Sequence, residues 1–275
     1  MRARAKNFFI TLSFCSNITG LDYLNGRFTG KKKQLLNFIH TQGPKTPKRE
    51  GLNAKMNIKG KTTLTFDCYG TLIDWETGIW DGFQQLLQTN NSKLMRKTCL
   101  EAFAEIESTV QAQQPDRFYP EVLQLTHKLF ANRFALKTSP ELDIRFGNFI
   151  PFWPAFPDSA DSLRRLKAHF KLVILSNVDR TSFAGSNERL GVEFDSIFTA
   201  EDVGSYKPNP QNFAYMMRNL HCETTNILHV AQSLFHDIKP ATDAGLNTVW
   251  IDRQGLVDGG SWGATARIDL SLIHI

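Results

Sequence analysis

Small polar and apolar residues alternate over positions 62–66, many of them β-branched, which predicts a short strand. It stops at Asp67, and Gly70 three residues later lets the backbone turn sharply. Over residues 77–153 the period lengthens. Residues 78–87, 94–111 and 121–136 carry apolar side chains three and four apart, as at Leu100, Phe103, Ile106 and Val110, and so predict helices. Asn90-Asn91-Ser92, Gln114-Pro115-Asp116 and Thr138-Ser139-Pro140 punctuate them. The aromatic-rich run 149–157 leads out of this stretch; composition favours a packed hinge, with a pocket wall as the alternative. From Asp158 onward helix and strand alternate. Helices are predicted over 159–169, 212–220 and 237–244, and strands over 171–175, 196–200, 227–231 and 248–251.

That alternation predicts an α/β fold, a mainly parallel sheet with helices on both faces. The helical stretch 77–153 then reads as an insert after the first strand, leaving 56–76 and 154–275 as the α/β core. Polar groups fall at the strand tips or in the loops beyond them: Asp67, Ser176 with Asn177, Lys207 and Asp237. Parallel strands bring such tips to one edge, where open α/β sheets carry their chemistry. Singly, each has an ordinary reading. Asp67 and Ser176-Asn177 suit turns, Lys207 suits a solvated loop, and Asp237 suits a helix N-terminus. Four in register are harder to dismiss.

Composition changes this picture little. The chain is 41% hydrophobic and 21% charged, ordinary for a globular protein in water. No apolar run approaches the ~20 residues that span a bilayer, so no membrane span is expected. The net charge of +5 is unevenly spread: residues 1–55 hold eleven Lys/Arg and two acids, and the rest holds 21 basic and 25 acidic residues. The body is mildly acidic, so no nucleic-acid-binding domain is expected. Residues 1–55 read as a flexible basic extension. The favoured reading starts the working protein near Met56, in the cytoplasm; a mitochondrial transit peptide is the alternative, and a secretory leader fits worse. Cys15, Cys68, Cys99 and Cys222 show no metal-binding spacing and read as reduced thiols.

Phe66-Asp67-Cys68-Tyr69-Gly70-Thr71-Leu72 resembles the first motif of the haloacid dehalogenase superfamily, whose aspartate is a nucleophile. Leu172-Val173-Ile174-Leu175-Ser176-Asn177 resembles the second motif and Lys207-Pro208-Asn209-Pro210 the third. His229-Val230-Ala231-Gln232-Ser233-Leu234-Phe235-His236-Asp237 resembles the fourth, and the resemblance spans residues 62–253. Asp74-Trp75 and Thr248-Val249-Trp250-Ile251-Asp252-Arg253 are most similar to the type II 2-haloacid dehalogenase branch.

This resemblance implies a Rossmann-like core under a helical cap that closes over the site and selects substrates. It implies Asp67, Lys207 and Asp237 as catalytic groups, with Tyr69, Thr71, Ser176, Asn177, Gln232 and Ser233 around a small acid substrate. Two departures from the superfamily's phosphatases bear on the reaction. Tyr69 stands where they place an acidic proton donor, and with an ordinary pKa near ~10 it is a poor acid at neutral pH. Gln232 stands where they place a metal-binding aspartate, and magnesium needs anionic oxygens. A halide leaving group needs neither, so no metal and no cofactor are expected; magnesium enters only if the chain is a phosphatase.

Other departures touch the dehalogenases themselves. Phe213 replaces a tyrosine, and Gln232 and Leu234 replace serine and asparagine. The arginine that binds substrate in their cap is unassigned here, with Arg96 and Arg133 as candidates. His236 reads as a loop histidine, or else as a proton carrier beside Asp237. Only Ala264 to Ile275 follow the last glycine, where relatives carry a closing helix. The leading expectation is 2-haloacid hydrolysis through an aspartyl ester; a small-molecule phosphatase and a catalytically silent binding protein are the alternatives. A homodimer is compatible with either.

Overall fold

The computed structural model describes residues 58–254 and 264–269. The basic extension, with its leader and start-site readings, lies outside the described residues. So do residues 255–263 and 270–275, on which the expectation of a missing closing helix rests. No helix among the described residues is long and apolar enough to cross a membrane.

Six parallel strands form one sheet. They are β1 (Thr63–Phe66), β2 (Lys171–Ser176), β3 (Ser196–Thr199), β4 (Ile227–Ala231), β5 (Asn247–Asp252) and β6 (Ala266–Asp269). Their spatial order is β3-β2-β1-β4-β5-β6. The chain steps outward from β1 through β2 to β3, then returns to lay β4 on the other side of β1. The crevice between the ends of β1 and β4 is therefore a topological switch point, the usual place for a ligand in such sheets.

The inner strands are buried on both faces because both are covered. Successive side chains alternate between the two faces. Leu172 and Ile174 join the larger core with Leu64, Phe66, Leu228 and Val230. Val173 and Leu175 join a second core with Phe213 and Met216, from the helix Gln211–Leu220.

Four helices lie between β1 and the aromatic run 149–157: α1 (Trp75–Thr89), α2 (Arg96–Gln113), α3 (Tyr119–Arg133) and α4 (Pro140–Gly147). Asp74 caps α1, accepting from the Thr77 amide at 3.1 Å and the Thr77 hydroxyl at 2.7 Å. The stretch Thr138-Ser139-Pro140, expected to be only a break, starts α4: Ser139 Oγ accepts from the Leu142 amide and Pro140 opens the helix. The run after α4 packs rather than lines a pocket. Trp153 is fully buried and meets the Tyr69 ring edge-on at 5.4 Å. Helix α1 rides so closely over Trp153 that a Cβ on Gly78 would sit 2.2 Å from its ring.

The second half adds α5 (Ser159–Lys167), α6 (Arg180–Leu190), the single-turn α7 (Ala200–Val203), α8 (Gln211–Leu220) and α9 (Lys239–Asp243). Helix α6 and strand β6 were not expected from the apolar pattern. The helix expected over 237–244 begins instead as a π-turn over Leu234–Ile238, which carries Asp237, before α9.

Candidate active site

Asp67 directly follows β1 and is almost completely buried. Its Oδ1 accepts from Lys207 Nζ at 2.9 Å and its Oδ2 from Thr71 Oγ1 at 2.7 Å. The turn that brings Thr71 back requires a positive φ of 92° at Gly70, where an added Cβ would also lie 3.2 Å from both Gln232 and Trp75. Thr71 Oγ1 in turn accepts from the Gln232 amide at 2.9 Å. One hydroxyl thus joins the turn after β1 to the loop after β4.

Lys207 lies beyond α7 and is 2% exposed. All three ammonium hydrogens are used: on Asp67 Oδ1, on the Leu175 carbonyl at 2.9 Å, and on Asp237 Oδ1 at 2.6 Å. Asn177 fixes the lysine's backbone, accepting from its amide at 2.7 Å and donating to its carbonyl at 2.9 Å. A further partner came unforeseen. His229, in the middle of β4, sets Nε2 3.2 Å from Asp237 Oδ1 and Nδ1 2.8 Å from Thr65 Oγ1. An ionised carboxylate only accepts, so Nε2 carries the hydrogen. The sequence carried one signal, since His229 interrupts an apolar strand; its register with Thr65 belongs to the sheet.

The charges are interdependent. Burial pushes Asp67 above the ordinary carboxylate range, the Asp237 charge adds to this, and Lys207 and Thr71 offset part of it. Burial also works against the Asp237 charge, but Lys207 and His229 outweigh it and hold that carboxyl low. Burial opposes the Lys207 charge too, and the two carboxylates overcome it, so its pKa rises. The result is an ionised lysine between two buried carboxylates.

A cavity of about 280 Å³ opens above this cluster. Asp67, Asn177, Lys207 and Asp237 reach it from the strand ends; Tyr69, Gln232, Ser233 and His236 flank it; α1, α2 and α3 supply the opposite wall. Among the expected site residues, Thr71 acts on Asp67 from behind the cavity. Ser176 does not line the cavity, and its buried Oγ has no partner among the described residues. Tyr69 bonds Ser186 Oγ at 2.9 Å, and burial drives its phenol well above its usual range. Ser233 Oγ accepts from the His236 amide at 3.0 Å and lies 3.1 Å from Nδ1 of its ring.

Neither arginine candidate reaches the cavity. Arg96 donates to Thr77 at 3.0 Å and Arg133 pairs with Glu105 at 2.9 Å, both on the surface. Phe213 packs edge-on against His229 at 5.1 Å, beneath the site rather than in it. No cluster of three or more metal-ligating side chains occurs among the described residues.

The chain is similar to proteins of known kind. It is 30% identical to (S)-2-haloacid dehalogenase 4A of Burkholderia cepacia over 200 residues, covering 69% of this chain and 82% of that one. It is 24% identical to an (S)-2-haloacid dehalogenase of Pseudomonas putida, over 80% of this chain and 92% of that one. The fold matches the L-2-haloacid dehalogenase of Xanthobacter autotrophicus solved with chloropropionic acid covalently bound, with a TM-score of 0.65 and 15% identity over 78% of this chain and 96% of that one. The haloacid dehalogenase-like hydrolase family matches residues 61–245, the span that carries Asp67, Lys207 and Asp237. By that match, and by the Burkholderia relative, the chain belongs to the haloacid dehalogenase-like hydrolases.

Proposed function

We propose that this hydrolase cleaves the carbon–halogen bond of a small 2-haloacid without a metal. The observation that carries the reading is a carboxylate, Asp67, lining a cavity while Lys207 and Thr71 fix both its oxygens. An Asp67 oxygen attacks the halogen-bearing carbon, and the halide leaves with the bonding electrons, forming an aspartyl ester. Water then adds to the ester carbonyl. Asp237 positions that water through Oδ2, which has no hydrogen-bond partner among the described residues, and accepts its proton. Collapse breaks the bond to the ester's alkyl oxygen, which takes the proton back from Asp237; the 2-hydroxy acid leaves and Asp67 is restored, now holding the oxygen from water.

The backbone amides of Cys68 and Tyr69, unbonded among the described residues, and the second Nδ2 hydrogen of Asn177 are donors for the substrate carboxylate and the ester oxyanion. Lys207 acts at a remove: its hydrogens are committed, so it keeps Asp67 ionised without touching substrate.

Two features favour halide over an alkoxide leaving group. The Tyr69 phenol, raised by burial and bonded to Ser186, is a poor proton donor, and a halide needs none. The donor set also suits magnesium badly: both carboxylates share Lys207, and the neighbouring loop offers the neutral Gln232. The names of the Burkholderia and Pseudomonas relatives support the same chemistry.

The test is halide release from racemic 2-chloropropionate in the presence of a chelator, with Asp67→Asn as the blank. Release by the parent alone is expected. Silence from the folded parent, with magnesium-dependent turnover of a phosphate ester, would replace this reading with a phosphatase.

A further inference from the structure

The reaction described above uses only the strand-end side of the cavity. The opposite wall carries a second polar group with no part in it. Glu107, on α2, is partly buried, and its Oε1 accepts from the Tyr119 hydroxyl at 3.1 Å and from Gln111 Nε2 at 2.9 Å. Its Oε2 has no hydrogen-bond partner among the described residues, and Glu107, Ser108, Gln111 and Tyr119 all line the cavity. Two donors therefore orient the carboxyl while one oxygen is left to a ligand. No lysine or arginine of the helical insert lines the cavity among the described residues. This wall is built for a hydrogen-bond donor and against an anion.

The cavity of about 280 Å³ reaches from Asp67 to Glu107, so one ligand faces both groups.

We propose that Glu107 is a specificity-determining residue that binds the far end of the substrate, so that the preferred 2-haloacid ends in a neutral hydrogen-bond donor such as a carboxamide. The proposal rests on the dehalogenase reading for the reacting end. An amide N–H fills the vacant Oε2. An alkyl end of the same shape leaves that oxygen desolvated and unpaired, which discriminates strongly because a buried polar group loses water and gains nothing. A second carboxylate meets Glu107 as well as the ionised pair beneath it. Burial pushes the Glu107 carboxyl up to about 7, so near neutral pH both of its forms are present, and each has an oxygen that accepts from an amide.

The experiment compares three chloroacids of nearly equal size: 2-chlorosuccinamate with the chlorine beside the free carboxylate, 2-chloro-4-methylpentanoate, and 2-chlorosuccinate. The parent is expected to favour the amide by about tenfold or more in kcat/KM, mostly through KM. Glu107→Leu should invert the order of the amide and alkyl acids. Glu107→Gln should keep amide turnover and lose discrimination against the dianion. In parallel, calorimetry on the parent compares unchlorinated succinamate with 4-methylpentanoate, which reads the same preference without turnover. If the parent releases chloride from 2-chloropropionate but treats amide and alkyl acids alike, dehalogenation stands and the role of Glu107 is overturned. If no chloroacid releases chloride, dehalogenation falls and calorimetry alone decides: selective succinamate binding supports the subsite, and equal binding overturns it.

Discussion

Replacing Lys207 with methionine keeps the unbranched stem and removes the ammonium, so it isolates what that group does. In the parent, three hydrogen bonds tie Nζ to Asp67, Asp237 and the Leu175 carbonyl, with both carboxyls out of water. Breaking a buried ion pair by removing one partner costs about 3–5 kcal/mol, because the other charge is left uncompensated. Here two charges are left, facing each other. The pH dependence has a definite sign. Lys207 and His229 hold Asp237 low, so its ionisation stabilises the parent above the ordinary carboxylate range, and that contribution is lost as pH falls through its folded value. Without Lys207, burial and mutual repulsion raise both carboxyls, so the variant's penalty grows as pH rises. The expected loss at pH 7.5 is therefore about 3–5 kcal/mol, a drop of roughly 1–2 M in the urea midpoint. At pH 5 it is smaller, because protonation relieves the pair. Halide release falls by about 10²–10³-fold as Asp67 becomes protonated and loses its fixed orientation. Urea unfolding at both pH values, with turnover alongside, makes the measurement. An equal loss at the two values, or none, would refute a charged Lys207 between two ionised carboxylates.

Three other outcomes follow from the same geometry. His229→Phe removes the second donor to Asp237, so hydrolysis of the ester should slow by about tenfold or more while its formation changes little. Rapid quench should then show a burst of halide and mass spectrometry an adduct on Asp67; a uniform slowing with no adduct would contradict this division of labour. Because burial raises Asp67, kcat/KM should fall as pH drops through a value above the ordinary ~4 of a carboxylate, and an acid limb below that would show Asp67 better solvated than its contacts indicate. Gly78→Ala forces a Cβ to within 2.2 Å of the Trp153 ring and should cost about 1–3 kcal/mol in denaturant unfolding, with a larger effect on substrate affinity than a surface change in the same helix; an unchanged midpoint would show that Trp153 moves freely.

What the sequence disclosed and withheld has a common physical origin. Asp67 and Asp237 were legible because they follow strands that the pattern predicts, and Lys207 because Lys207-Pro208-Asn209-Pro210 resembles the third motif of the superfamily. Helix α6 escaped because Ser182 and Ser186 share its buried face with Phe183 and Leu190 and break the apolar period; Gly185 sits where a Cβ would come within 2.6 Å of Pro151. Its ends were nonetheless marked, by Asp179 accepting from the Ser182 amide and by Gly191 at a positive φ. Arg96 and Arg133 were candidates only by charge, and both turn outward to surface partners. Glu107 was invisible for the opposite reason. On an amphipathic helix, a glutamate reads as solvated, and only the approach of Tyr119 from the next helix encloses it. In the proposed reaction, the chemistry sits on residues that follow predicted strands or match a motif, while the proposed choice of substrate sits on residues defined only when two helices meet. A related chain could keep the first set unchanged and alter the second by one turn of α2. By that logic, exchanging Glu107 and its neighbours should change which acid is bound while Asp67, Lys207 and Asp237 go on reacting as before.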